Sequence, residues 1–107
     1  MITGIDVNQT VDFISVHDKS EPKTIWKLGL LDYLSYLKVS EFMVPGKEAE
    51  GCVLSAKYGI RGVENYNIPF EKESDAFLKT IPPILLLEIG AKVLQLSSMS
   101  GEETKNS

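Results

Sequence analysis

Residues 82–98 read PPILLLEIGAKVLQLSS, an apolar run that is long enough for a helix and has few polar positions. Pro83 suits the first turn of a helix, because its missing N–H would have no partner there. Glu88, Lys92 and Gln95 are spaced by four and three residues, so they share one narrow polar stripe. Most of the circumference of this predicted helix is therefore apolar, and it needs cover from the rest of the chain or from another chain.

The composition is typical of one small domain. The chain has 107 residues, of which 43% are hydrophobic and 24% are charged. A net charge of -4 provides no general attraction for nucleic acid or anionic lipid. Glu88 and Lys92 interrupt the apolar run, which makes it a poor candidate for a membrane span. We predict a globular domain over residues 1–100 and a polar tail over residues 101–107.

Two features indicate a protein that stays in the cytoplasm. Residues 1–13, MITGIDVNQTVDF, lack the basic start and the following apolar segment of a secretory signal. Cys52 is the only cysteine, so an internal disulfide or a thiolate metal cluster cannot form. We therefore expect a reducing compartment and no bound metal or cofactor.

The N-terminal part predicts a β-hairpin. Residues 11–16, VDFISV, are rich in strand formers, and residues 24–30, TIWKLGL, alternate in a way that places Trp26 on the side facing the core. The polar stretch between them contains Pro22, which indicates a loop of about seven residues. Trp26 is expected to be a core aromatic, and the alternative is an anchor for a partner.

Residues 32–43, DYLSYLKVSEFM, predict a helix with Asp32 as its N-cap. The periodicity in this segment is less regular than in residues 82–98, so an irregular or extended structure is the alternative. In the helical case one face would carry four residues: Tyr33, Tyr36, Leu37 and Ser40.

A second predicted helix covers residues 47–58 and has a face of small apolar residues, formed by Ala49, Cys52, Val53, Ala56 and Ile60. Such a face predicts close packing against a neighbouring helix. Gly59 stands where a C-terminal cap would fall, and Gly62 follows within the predicted turn. Residues 67–70, NIPF, are expected to be an edge strand or a brace, and Ser74 is expected to cap a short helix.

These elements predict an α+β fold. An N-terminal β-hairpin packs on two or three helices, and the longest helix is the C-terminal one, from residue 83 to residue 98. Within that helix we expect Leu86, Ile89 and Val93 to lie in the core.

No catalytic constellation is supported by the sequence. His17 is the only histidine and lies beside Asp18 in a polar loop, with Ser15 and Ser20 as the nearest nucleophile candidates. Adjacent residues in a solvated loop do not predict a catalytic triad. Cys52 is expected to be a buried thiol on its helix face. We therefore expect a protein that is not an enzyme.

The order of several segments resembles the tail assembly chaperones of tailed bacteriophages and prophages. The matching pieces are VDFIS with the polar loop and TIWKLGLLD, then a helix that ends in KYGIRGVENYNIPF, then IPPILLLEIGAKVLQLSSMSGEETKNS. The resemblance covers most of the chain. It implies a non-enzymatic protein that binds the tape measure protein in the host cytoplasm, keeps it soluble and releases it as the tail tube polymerises.

The resemblance implies the phage tape measure protein as the partner, with the tail tube protein and a second copy of the chain as further candidates. The side chains proposed to bind a partner are large and apolar or aromatic: Trp26, Tyr58, Tyr66, Leu85, Leu87 and Leu94. The alternative for each of them is the protein's own core. Two rival functions are a structural virion protein of the head-to-tail junction or tail, and a small inhibitor protein.

Overall fold

A computed structural model describes the backbone of residue 6 and residues 8–106, and the side chains as far as residue 97. Residues 1–5, 7 and 107, which belong to the predicted domain and tail, lie outside the described residues. The described part is a small α+β domain, as predicted, with a three-stranded antiparallel sheet and the longest helix last. The elements are β1 (Thr10–Phe13), β2 (Ile25–Gly29), α1 (Tyr33–Ser40), α2 (Glu48–Gly59), β3 (Ile60–Glu64), α3 (Asp75–Leu78) and α4 (Pro83–Asn106).

The predicted hairpin is confirmed, and its second strand is the centre of the sheet. The strand order is β1-β2-β3, with both neighbours antiparallel to β2. β1 is shorter than predicted because it ends at Phe13, which pairs with Trp26. The connection therefore runs from residue 14 to residue 24, and we call it the β1–β2 loop.

Lys27 links the three strands from the middle of β2. Its Nζ lies 2.7 Å from Asp12 Oδ1 on β1 and 3.1 Å from Glu64 Oε2 on β3. The hydrogen bonds to Asp12 and then to Glu64 raise the pKa of Lys27. Opposite charges on neighbouring strands of one face favour the observed pairing register.

The third strand was not predicted, because Gly59 and Gly62 indicated a turn. Instead, α2 passes directly into β3 at Ile60, which is extended at φ -73° and ψ 121°. The N–H of Ile60 still donates to the carbonyl of Ala56, so one residue ends the helix and starts the strand. A register shift between Lys27 and Leu28 accommodates the incoming strand.

Helices α2 and α4 cross in backbone contact. A Cβ atom built on Gly90 would lie 2.0 Å from the carbonyl oxygen of Cys52, so only glycine fits there. Ser55 Oγ donates to the carbonyl of Gly90 at 3.0 Å in the same buried crossing. One turn further, a Cβ on Gly59 would lie 2.5 Å from Val93 Cγ2. The predicted close helix packing is thus confirmed, although Ala49 of the predicted small-residue face is exposed.

The core forms where α4 meets the sheet and α2. Ile89 and Val93 are fully buried, as predicted, whereas Leu86 is only half-buried because it lies at the edge of the α4 stripe. Apart from Ile89 and Val93, the buried hydrophobic side chains are Trp26, Leu28, Leu31, Val39, Ala56, Ile60, Phe77, Leu78 and Ile81.

A row of aromatic rings closes one end of this core. Ring centroids are 5.1 Å apart between Trp26 and Tyr66, 5.9 Å between Tyr66 and Phe77, and 5.3 Å between Phe77 and Phe70. These tilted and edge-on arrangements are favourable for aromatic pairs. Residues 67–70 are therefore a brace that carries Phe70 to the core, and they do not form an edge strand.

The predicted N-caps of α1 and α3 are observed, whereas α4 ends later than predicted. Asp32 Oδ1 accepts the N–H of Ser35 at 2.7 Å and Ser74 Oγ accepts the N–H of Phe77 at 3.2 Å, so both predicted N-caps are confirmed. The irregular alternative for residues 32–43 is wrong, because residues 33–40 are helical. α4 continues beyond the predicted end at Ser98 as far as Asn106.

Replacing Gly90 by alanine should destabilise the protein. Alanine favours a helix interior by about 1 kcal/mol over glycine, yet here its methyl group would meet backbone, and we expect a net loss of about 1 to 3 kcal/mol. Gly51→Ala is the matched control, because its methyl group would meet the flexible side chain of Met43. Urea unfolding of both variants measures the difference; equal stabilities would contradict the backbone contact.

Replacing Ile89 by alanine should lower the free energy of unfolding by about 2 to 5 kcal/mol, because the side chain is fully buried and a cavity would remain. Leu87 lies on the same helix and is 38% exposed, so Leu87→Ala should cost clearly less. Denaturant titration compares the two variants. A loss below about 1 kcal/mol for Ile89→Ala would mean that this face of α4 is not packed in solution.

Candidate functional site

The outward side of α1 is apolar. Val39 is the one buried residue of this helix, whereas four large side chains are exposed to solvent. Their exposed fractions are 74% for Tyr33, 69% for Leu34, 43% for Tyr36 and 42% for Leu37. We call these four side chains the α1 face.

The α1 face is continuous because its members are neighbours on the helix surface. Tyr33 and Leu37 are four residues apart, and Tyr33 with Tyr36 and Leu34 with Leu37 are three apart. Together they expose on the order of 500 Å², which is near the upper end for the largest apolar patch of a monomer. An amphipathic helix normally turns this side toward the core. In α1 the orientation is inverted, because the apolar side faces the solvent.

The inversion follows from how α1 is attached. Val39 anchors it from the inner side, and Asp32 fixes its first turn through the N-cap hydrogen bond. Lys38 is exposed, and its Nζ lies 5.6 Å from the centroid of the Tyr58 ring on α2. The chain then passes through Met43 and Val44, which are also exposed.

A cleft of about 590 Å³ lies between the β1–β2 loop and the beginning of α4. We call it the Trp26 cleft. Ser15 and residues 17–20 of the loop provide a polar wall. Trp26 and Tyr66 provide aromatic surface, and Ile84 and Leu85 provide an apolar wall. The hydroxyl of Tyr66 is held by Thr80, 2.9 Å from its carbonyl and 3.0 Å from its Oγ1.

The polar wall is held in place from α4. Ser15 is 6% exposed and its Oγ donates to Glu88 Oε1 at 2.5 Å. The same Oγ accepts the N–H of His17 at 3.1 Å. Ser15 therefore joins the β1–β2 loop to α4 and holds the loop in position.

Asp18 organises the rest of the loop and does not orient His17. Its Oδ1 accepts the N–H of Ser20 at 2.8 Å and also the Ser20 hydroxyl, while Oδ2 accepts the N–H of Thr24 at 2.8 Å. These hydrogen bonds, with Ser20 as the main donor, lower the pKa of Asp18 to about 2. Both carboxylate oxygens are thus committed to the loop backbone and Ser20.

The remaining chemical candidates are not arranged as a site. Cys52 is half-buried, and burial raises the pKa of its thiol, which disfavours the reactive thiolate. Within the described residues, no group of three or more histidine, cysteine, aspartate or glutamate side chains could hold a metal ion. In the same part of the chain, no helix combines the length and the apolar character needed to cross a membrane.

The structure distributes the six predicted partner-binding residues over several places. Trp26, Tyr66 and Leu85 meet at the Trp26 cleft, but Trp26 is only 1% exposed and belongs to the core. Tyr58 is half-buried beneath Lys38, and Leu94 is half-buried against the core. Of the six residues, only Leu87 is an exposed hydrophobic side chain.

The sequence interpretation missed the α1 face as a surface. It placed Tyr33, Tyr36 and Leu37 on one face of a helix, but it treated aromatic and aliphatic residues elsewhere as the partner-binding candidates. The available signal was the single small apolar residue, Val39, on the opposite side. Periodicity alone defines a stripe and does not tell which stripe faces the core.

Comparison with known proteins adds no assignment. No family model, curated protein sequence or solved structure matches the chain. The resemblance to tail assembly chaperones stays a prediction.

The Asp18 carboxylate should stabilise the folded β1–β2 loop in a pH-dependent way. Its folded pKa of about 2 lies below the usual 3.8, so the stabilisation is complete above pH 3.8 and disappears as the pH falls through about 2. The difference in unfolding free energy between wild type and Asp18→Asn should shrink over that interval. NMR titration of the carboxyl carbon gives the folded pKa directly; a midpoint near 3.8 would contradict the hydrogen-bond set.

Proposed function

We propose that this chain is a non-enzymatic phage tail assembly chaperone that holds an amphipathic helix of the tape measure protein on the α1 face. The observation that carries the proposal is the inverted orientation of α1, which leaves Tyr33 and Leu34 mostly exposed. The segment resemblance supplies the identity of the client. Keeping such a client soluble in the host cytoplasm requires covering its apolar stripe, and an apolar helix surface is suited to that task.

The size of the α1 face is consistent with a transient contact. A standard stable interface buries about 800 Å² on each partner, whereas the four side chains of the α1 face expose on the order of 500 Å². Each contact alone would therefore be weak and reversible. A chaperone that coats a long helical client with several copies, and releases it during polymerisation, needs contacts of this kind.

The tail tube protein is a second proposed partner, engaged when the client is released. Catalysis is not part of the proposal, since Ser15, Asp18 and Cys52 have structural surroundings. The structural virion protein and the small inhibitor remain the rival functions. Client solubility and the presence of the chain in mature particles distinguish the first of them from the chaperone.

Co-expression with the long tape measure gene of the same genome should convert that client from insoluble to soluble and give a complex with several copies of this chain. Leu34→Gln should abolish solubilisation at little cost in stability, because Leu34 is mostly exposed and glutamine keeps helix propensity. Ile84→Gln is the matched control, since Ile84 is 71% exposed but lies at the Trp26 cleft. Client solubility and size-exclusion chromatography measure both.

His17→Ala and Cys52→Ala should leave client binding intact, because neither side chain has a chemical role in the proposal. If the client stays insoluble and no complex survives chromatography, while this chain is found stoichiometrically in mature particles, the chaperone proposal is wrong. The structural virion protein would then be the better interpretation.

A further inference from the structure

The Trp26 cleft has an apolar lining that the fold leaves open. Ile84 lies on its α4 wall and is 71% exposed, and Leu85 continues that wall. Tyr66 adds ring surface, and its hydroxyl is already hydrogen-bonded to Thr80. The cleft volume of about 590 Å³ lies within the roughly 300 to 1,000 Å³ that is typical of small-molecule sites. This part of the cleft therefore suits the apolar body of a small molecule.

Most polar side chains around the cleft are used by hydrogen bonds within the chain. The hydroxyl of Ser15 donates to Glu88, and Thr24 Oγ1 donates to the carbonyl of Asn65 at 2.8 Å. Both carboxylate oxygens of Asp18 accept hydrogen bonds from the loop. The side chains committed in this way are those of Ser15, Asp18, Ser20 and Thr24.

Two polar side chains of the cleft stay uncommitted, those of His17 and Lys19. Both residues line the cleft and both are exposed. Among the described residues, neither side chain has a hydrogen bond or an ion pair. A lysine ammonium offers three donors and no acceptor, and an imidazole can also donate. The cleft therefore combines an apolar wall with groups that match an anionic acceptor.

We propose that the Trp26 cleft binds a small apolar carboxylate, such as a medium-chain fatty acid. The hydrocarbon of this ligand lies against Ile84 and Leu85, and its carboxylate accepts from Lys19. A cationic ligand would bring its charge to a lysine, and a neutral one would leave that lysine without a counter-charge. The inference is independent of the proposed function, because the cleft and the α1 face share no residue.

Trp26 provides the readout, because it is the only tryptophan of the chain and lines the cleft. Fluorescence titration compares three probes that share one hydrocarbon chain: decanoate, decanol and decylammonium. Decanoate should bind about threefold to fivefold more tightly than decanol, as expected for one exposed charge pair, and decylammonium should bind least tightly. The difference should shrink in high salt, because exposed charges are screened.

Lys19→Gln should remove the preference for decanoate and leave decanol binding unchanged, because glutamine keeps a long polar side chain without the charge. Ile84→Gln should weaken decanoate and decanol by a similar factor, because it removes apolar surface from the wall. Lys47→Gln is the matched control, since Lys47 is also exposed but does not line the cleft. Amide NMR shifts caused by decanoate should be largest in the β1–β2 loop and at the start of α4.

Equal binding of decanoate and decanol, or a preference that Lys19→Gln retains, would overturn the carboxylate as the head group. A tryptophan signal that does not saturate, or binding that Ile84→Gln leaves unchanged, would overturn the cleft as the site. An acetylated peptide with a C-terminal leucine presents the same carboxylate on a peptide. If it bound more tightly than decanoate, the site would belong to a protein C-terminus and the free carboxylate would be wrong. None of these results changes the outcome of the client-solubility experiment, which concerns α1.

Discussion

The crossing of α2 and α4 at Gly90 is the contact on which the rest of the fold depends. Without a side chain at Gly90, the carbonyl of Cys52 reaches the α4 backbone, and Ser55 satisfies the Gly90 carbonyl in the same buried place. This close approach turns Ile89 and Val93 toward the sheet and α2, where both are fully buried. It also fixes where α2 ends, because Gly59 lies against Val93 and the chain passes at once into β3.

The same crossing decides which apolar surface is left over. The apolar circumference of α4 would need cover from another chain if the domain did not supply it, but α2 and the sheet cover its central part. Tyr33 and Leu34 on α1 are among the most exposed large apolar side chains of the described residues, together with Val16 and Ile84. Part of the excess apolar surface thus lies on the short helix, and α4 contributes Ile89 and Val93 to the core.

Local chemistry made part of the structure predictable. Pro83, Asp32 and Ser74 marked helix starts through backbone hydrogen-bond requirements that depend only on nearby residues. β3 could not be predicted in this way, because its extended conformation depends on pairing with β2, and Gly62 read locally as a turn. The Trp26 cleft depends on the hydrogen bond from Ser15 to Glu88, which are 73 residues apart in the sequence.

The surroundings of the two candidate surfaces favour α1 over the Trp26 cleft for a helical client. The cleft is closed on one side by a loop whose Ser15 and Asp18 are committed to internal hydrogen bonds. The convex α1 face has no such limit, since a client helix can lie along it with its apolar stripe against Tyr33 and Leu37.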